Sequence, residues 1–184
     1  MAFTRLPQSL CPVLHNFVHT LKSHVALEPN KHLDAVDVTD AWYWKEKVFM
    51  AALVAYVDGG SLGSPGSAGI GVIIEGSDGR KIRIAKWIGR QDNNVAEYVA
   101  LLEALQLAIT LGAETLHVYS DSEVVVRQMN GEYACRSPRL HSLNWVCRKL
   151  ARSLQFSISH VRRELNTEAN GLAASAVHDA LASL

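Results

Sequence analysis

The run from Leu53 to Ile88 reads LVAYVDGGSLGSPGSAGIGVIIEGSDGRKIRIAKWI, and its punctuation decides the fold. Leu53–Asp58 is apolar enough for a buried strand. Ser61–Ser67, crowded with Gly, Ser and Pro, breaks it as a turn. Ala68–Glu75 makes a second strand, and Ser77-Asp78-Gly79 is a hairpin turn. Lys81–Ile88 then alternates polar and apolar side chains, the period of a half-exposed strand. Three strands joined by two short turns form an antiparallel meander.

Beyond Ile88 the period lengthens to that of helices. Asp92 or Asn93 can cap a helix running to Leu111, where Gly112 can end it. Within it Ala96, Ala100, Ala104 and Ala108 form a row of small side chains suited to close packing on a sheet. Thr115–Ser120 is a fourth strand and Ser122–Met129 a short helix that Asn130-Gly131 breaks. A longer helix starts near Pro138 and continues to about Ser153, with Leu140, Leu143, Trp145, Val146 and Leu150 as core candidates. Leu154–Val161 alternates as a fifth strand, and Asn166 caps an alanine-rich final helix. The order β-β-β-α-β-α-α-β-α predicts an α/β domain. Its five-stranded mixed sheet has three antiparallel strands, then two parallel to the first, with helices on both faces.

Residues 1–50 read as an N-terminal extension to a domain spanning 51–184. In the extension Leu10, Val13, Leu14, Phe17, Val18 and Leu21 recur at helical spacing, so it is expected to be partly helical. Trp42 and Trp44 share one face of an extended segment and are expected to dock on the main domain. His15 and His19 stand four apart without a third ligand nearby, the pattern of solvent-facing or packing histidines.

With 184 residues and 48% hydrophobic content, the chain can bury one core and carry a modest extra segment. Its formal net charge is zero, but from Arg127 to Arg163 the sole acid is Glu132 among many bases. Such a stretch is either a solvated helix face or a surface turned toward a polyanion. Cys11, Cys135 and Cys147 form no C-x-x-C pair, which argues for reduced thiols and against a disulfide framework or zinc knuckle. No apolar run reaches the roughly 18–20 residues that span a bilayer, and no secretory signal pattern opens the chain. A cytoplasmic monomer with no membrane association and no obligatory protein partner is therefore expected.

Three carboxylates fall at suggestive places. Asp58 ends the first strand, Asp121 ends the fourth, and Glu97 lies in the first turns of the first long helix. Taken singly, each has an ordinary reading: a turn residue before two glycines, a helix N-cap, a helix-dipole partner. Together they say more. Strands one and four should be parallel neighbours, which sets Asp58 beside Asp121 at one sheet edge. Converging carboxylates repel unless a cation sits among them, and hard oxygen ligands suit Mg²⁺ or Mn²⁺. Two such ions are the usual apparatus of phosphodiester cleavage.

Four ordered motifs carry a family resemblance. They are Tyr56-Val57-Asp58-Gly59-Gly60, Asn93-Asn94-Val95-Ala96-Glu97, Tyr119-Ser120-Asp121-Ser122-Glu123, and His160-Val161-Arg162-Arg163-Glu164 with Asn166, Ala169 and Asn170. From about Leu53 to Ala182 the chain resembles the type 1 ribonuclease H family, in its compact bacterial and archaeal branch. The segment Asn130–Pro138 is too short for the extra basic helix and loop that some members use as a substrate handle. The resemblance implies the RNase H-like fold and an endonuclease that cuts the RNA strand of RNA–DNA hybrids, leaving 5′-phosphates. It implies two Mg²⁺ or Mn²⁺ ions held by Asp58, Glu97, Asp121 and Asn170, with Asp58 bridging both.

The resemblance also implies substrate contacts from Gly59, Asn93, Asn94, Glu123 and Asn166. Asn93 and Asn94 would read the minor groove, where 2′-hydroxyls distinguish RNA from DNA; Glu123 stands where several relatives carry Gln. His160 and Arg163 would assist turnover or contact a phosphate. The chain departs from the family at Asn170, where the fourth acid is usually Asp. An amide oxygen can still ligate but gives up a full charge, so weaker binding of the water-activating ion is expected. One competing reading is a hybrid-binding module that has lost catalysis; another is the same scaffold turned to a different substrate, as in resolvases or integrases. Three mutually repelling acids facing a phosphate backbone argue against the pure binder.

Overall fold

The computed structural model describes residues 52–183. Its strands are β1 (Ala52–Gly63), β2 (Gly66–Gly76), β3 (Lys81–Gln91), β4 (Thr115–Ser120) and β5 (Gln155–His160). They form one sheet in the order β3-β2-β1-β4-β5. Pairing of β1 with β2 and of β2 with β3 is antiparallel, and β4 and β5 join parallel to β1. Four helices complete the fold: α1 (Asn93–Thr110), α2 (Glu123–Met129), α3 (Pro138–Ala151) and α4 (Thr167–Ala182), with a 3₁₀ turn at Arg163–Leu165 before the last. This is the expected RNase H-like arrangement.

Glycines show how the helices reach both faces. Gly59 pairs with Ile70 across β1 and β2, while Asp58 pairs with Gly71 and Gly60 with Gly69. Neighbouring residues point to opposite faces. A methyl group at Gly59 would lie 2.1 Å from the Ala96 carbonyl carbon, so this face receives α1. On the other face, methyl groups at Gly69 and Gly71 would lie 2.5 Å and 2.0 Å from the Ala173 and Ala169 carbonyl oxygens. There α4 packs. The small-residue row in α1 behaves as expected, with Ala96, Ala100, Ala104 and Ala108 all fully buried. Ala100, Ala104 and Ala108 join Leu53, Val57, Val72, Leu116 and Val118 in the main core.

Several element boundaries differ from the sequence reading. The two meander strands run closer together, to Gly63 and from Gly66, leaving a turn around the cis Ser64–Pro65 bond. Gly63, at φ 107°, supplies the left-handed conformation that turn requires. Asp58 therefore does not end β1. It lies one residue beyond Val57, whose partner Ser120 closes the pairing of β1 with β4. The second turn forms as expected, with the Asp78 side chain accepting from the Arg80 amide at 3.1 Å.

Neither expected cap of α1 uses its side chain. Asp92 occupies the N-cap position, but its carboxylate pairs with Arg139 of α3 at 2.7 Å. The helix ends as expected at Gly112, where the Ala113 and Gly112 amides bond back to Ala108 and Ile109. Trp145, taken as a core residue, is 58% exposed under the Lys149 ammonium. The buried stripe of α3 is Leu140, Asn144, Cys147 and Ala151, and Trp145 follows Asn144 onto the outer side. Cys135 and Cys147 are free thiols. The extension, with its helix, His15, His19, Cys11, Trp42 and Trp44, lies outside the described residues.

Candidate active site

Parallel pairing of β1 with β4 sets the stage. The last pair is Val57 with Ser120, so the next residues, Asp58 and Asp121, emerge side by side. Glu97 arrives from α1 because Gly59 has no side chain to hold the helix off. Glu97 Oε2 then accepts from the Gly59 amide at 3.3 Å. Carboxylate oxygens of Asp58, Glu97 and Asp121 all lie within 4.8 Å of one another. Asp58 and Glu97 are buried and Asp121 is half-buried.

Crowding and burial show in the acidities. Burial, helped by the neighbouring Asp58 and Asp121 charges, pushes the Glu97 carboxyl up to about 9. Burial and the Asp121 charge raise Asp58 to about 6. Arg163, exposed at the start of the 3₁₀ turn, pulls both back toward the ionised form. Buried carboxyls that resist ionisation are the electrostatic signature of an anionic cluster awaiting a positive partner. The donor set fits a hard divalent cation: three carboxylates, no sulfur, no imidazole.

Two asparagines hold this cluster from α4. Asn166 was expected to cap the helix. It stands at the N-cap position, yet its side chain turns inward. Asn166 Nδ2 donates to the Val57 carbonyl and to Asp121 Oδ1, both at 2.9 Å. Asn170 Nδ2 donates to the Asn166 carbonyl at 2.7 Å and reaches Asp121 Oδ2 at 3.5 Å. Asn93 and Asn94 are exposed at the first turn of α1. Gly59 is buried beneath α1. Glu123 is exposed at the start of α2 and pairs with Arg127 at 2.7 Å. His160 is exposed at the end of β5, paired in register with Ser120.

A buried polar network went unread in the sequence. Tyr98 of α1 donates through its hydroxyl to Gln128 Oε1 at 2.7 Å and accepts from Asn144 Nδ2 at 2.9 Å. It ties α1, α2 and α3 together behind the site. The available signal was Asn144 itself, a polar residue in phase with Leu140, Cys147 and Ala151.

Residues 56–176 match the reverse transcriptase-like family model. Ribonuclease HI of Halobacterium salinarum is 38% identical over 128 residues, covering 68% of this chain and 64% of that protein. A bifunctional protein of Mycobacterium tuberculosis is 37% identical, and the match spans 37% of its length. The solved N-terminal RNase H domain of that protein superposes with a TM-score of 0.66, covering 68% of this chain and 98% of the domain. An RNase H1 isolated from compost, solved in complex with an RNA/DNA hybrid, is 34% identical with a TM-score of 0.65, covering 70% of this chain and 99% of that one. Matching in sequence and in overall fold, the chain belongs to the type 1 ribonuclease H family.

Proposed function

We propose that this chain hydrolyses the RNA strand of RNA–DNA hybrids, using divalent cations held by Asp58, Glu97 and Asp121. The observation that carries this reading is the convergence of those three carboxylates, with oxygens within 4.8 Å, where two parallel strands end their pairing. Mg²⁺ and Mn²⁺ suit the all-oxygen donor set. Two such ions, when bound with substrate, would lower the pKa of an attacking water and stabilise the leaving oxygen. Water adds to phosphorus, the P–O3′ bond breaks, and the products carry a 5′-phosphate and a 3′-hydroxyl.

The chain's own groups position the substrate. Asn93 and Asn94 present amides that donate and accept, the chemistry needed to test for a 2′-hydroxyl. They stand at the N-terminus of α1, where the helix dipole favours a phosphate. Glu123, pinned to Arg127, presents its carboxylate along α2, which leaves the groove contact to the asparagines. Arg163 and His160 flank the carboxylates as phosphate or turnover groups. A catalytically weakened hybrid-binding module is the alternative, and Asn170 is the residue that favours it.

Cleavage of a strand-labelled hybrid in Mg²⁺ and in Mn²⁺ tests the reading, with Asp58→Asn as the negative control. RNA cut in the hybrid supports it. Binding without any cut supports the alternative, and DNA cut would redirect the assignment to another nuclease class.

A further inference from the structure

Asn170 stands one helical turn after Asn166, and its amide is fixed by what surrounds it. The main-chain carbonyl of Asn166 lies 2.7 Å from Asn170 Nδ2, and Asp121 Oδ2 lies 3.5 Å from the same atom. Both neighbours are acceptors, so the atom facing them must be the nitrogen. Turning the amide over would set two carbonyl oxygens at 2.7 Å. The Asn170 amide oxygen lies on the other side of the group, buried and without a partner among the described residues.

Asn166 repeats this arrangement at the other oxygen. Its Nδ2 sits between two acceptors, the Val57 carbonyl and Asp121 Oδ1. Its own amide oxygen is likewise buried and unpartnered among the described residues. Asp121 is thus gripped at both oxygens by amide donors, each anchored on a main-chain carbonyl.

We propose that Asn170 is a positioning residue that holds Asp121 as a hydrogen-bond donor and is not itself a cation ligand. The inference rests on reading Asp58, Glu97 and Asp121 as the cation site. To ligate through its oxygen, Asn170 must give up the Asn166 carbonyl and place two oxygens together. Aspartate at position 170 would face the same two acceptors with a further negative charge, and a cation would have to offset it. Asparagine relieves that repulsion: it supplies a proton to Asp121 where a fourth carboxylate would add charge. The site then keeps its shape before a cation binds, at the cost of one ligand.

Two measurements on the full chain test this. In chelator at neutral pH, Asn170→Asp is expected to melt roughly 3–8 °C below the wild type, because a donor becomes a buried acceptor. A variant that melts at or above the wild-type temperature would overturn the donor role. The second measurement needs no variant to fold. Side-chain ¹³C signals of the labelled wild type are followed as Mg²⁺ is added. The carboxyl carbons of Asp58, Glu97 and Asp121 should shift, while the Asn170 amide carbon stays within the spread of the other asparagines. An Asn170 carbon that moves with the carboxyls would show ligation and sink the proposal. If the carboxyl carbons ignore Mg²⁺, the cation reading fails, and the melting comparison, which uses no cation, still decides the donor role.

Discussion

Asn166 and Asp121 are joined by a hydrogen bond of 2.9 Å, and the same Asn166 amide bonds the Val57 carbonyl at 2.9 Å. One buried side chain therefore couples α4, the strand that carries Asp58, and the carboxylate that follows β4. Asn166→Ala leaves the Val57 carbonyl and one Asp121 oxygen without their donor, an expected loss of about 1–3 kcal/mol. Freed from one grip, Asp121 should also wander, and hybrid cleavage should fall at least about tenfold, the effect of roughly 1.4 kcal/mol at the transition state. Denaturant melts and cleavage rates on the same preparation check both. Unchanged stability would mean that the amide merely fills space.

Gly59 and Gly60 are neighbours with opposite tolerances. A methyl group at Gly59 would meet main-chain atoms of Ala96 and Glu97 at 2.1 to 2.4 Å, while one at Gly60 meets nothing within 4 Å. Backbone cannot swing aside like a side chain, so Gly59→Ala must push α1 away from the sheet. It is expected to cost about 3 kcal/mol or more and to withdraw Glu97 from Asp58 and Asp121. Gly60→Ala should melt near the wild type. Paired thermal melts of the two variants give the comparison, and equal melting temperatures would contradict the packing described for α1.

The contrast between these two glycines also marks where sequence reading stops. Alternation and turn residues were enough for the five strands, their order and the parallel neighbourhood of β1 and β4, because those patterns are local. Asp58 and Asp121 were legible as the residues just past the apolar runs that pair β1 with β4, and Glu97 from the first turns of α1. The inward turn of Asn166 was not legible. A residue at an N-cap position ordinarily bonds the next turn's amides, and only the arrival of β1 and Asp121 from far along the chain offers it better acceptors. Asp92 stands at the cap position read for it, but its side chain does not cap for the same reason: Arg139, 47 residues away, takes its carboxylate. Trp145 failed because periodicity ranks by apolarity. In α3 the buried phase belongs to Asn144, whose partner Tyr98 lies on another helix.

Tyr98 gives a prediction confined to stability. Its hydroxyl is the shared partner of Gln128 and Asn144, and the ring is fully buried. Tyr98→Phe keeps the ring and strands two buried amide groups, at an expected cost of about 1–3 kcal/mol. None of the three touches the carboxylates, so cleavage per folded molecule at low temperature should stay within about twofold of wild type, roughly the 0.4 kcal/mol that separates noise from effect. A large loss of activity in a stably folded Tyr98→Phe would mean that the network reaches the active site.

Acidity ties the carboxylates to stability with a definite sign. Glu97 is raised to about 9 and Asp58 to about 6, chiefly by burial and then by each other's neighbours. Both carboxyls hold protons more tightly in the folded chain than in the unfolded one, where ordinary carboxyls ionise near pH 4. Folding therefore weakens as pH rises above about 4 in chelator. The Asp58 contribution is spent just above pH 6, while that of Glu97 continues to about pH 9. The glutamine in Glu97→Gln cannot ionise, so the melting temperature of wild type minus that of Glu97→Gln should fall steadily from pH 5 to 9. Saturating Mg²⁺ should flatten the fall, because a bound cation favours the ionised carboxylates that burial opposes. Arg163→Gln removes a positive charge that pulls both carboxyls toward ionisation and should move the decline to higher pH. A difference that rises with pH in chelator would contradict the sign derived from the buried cluster.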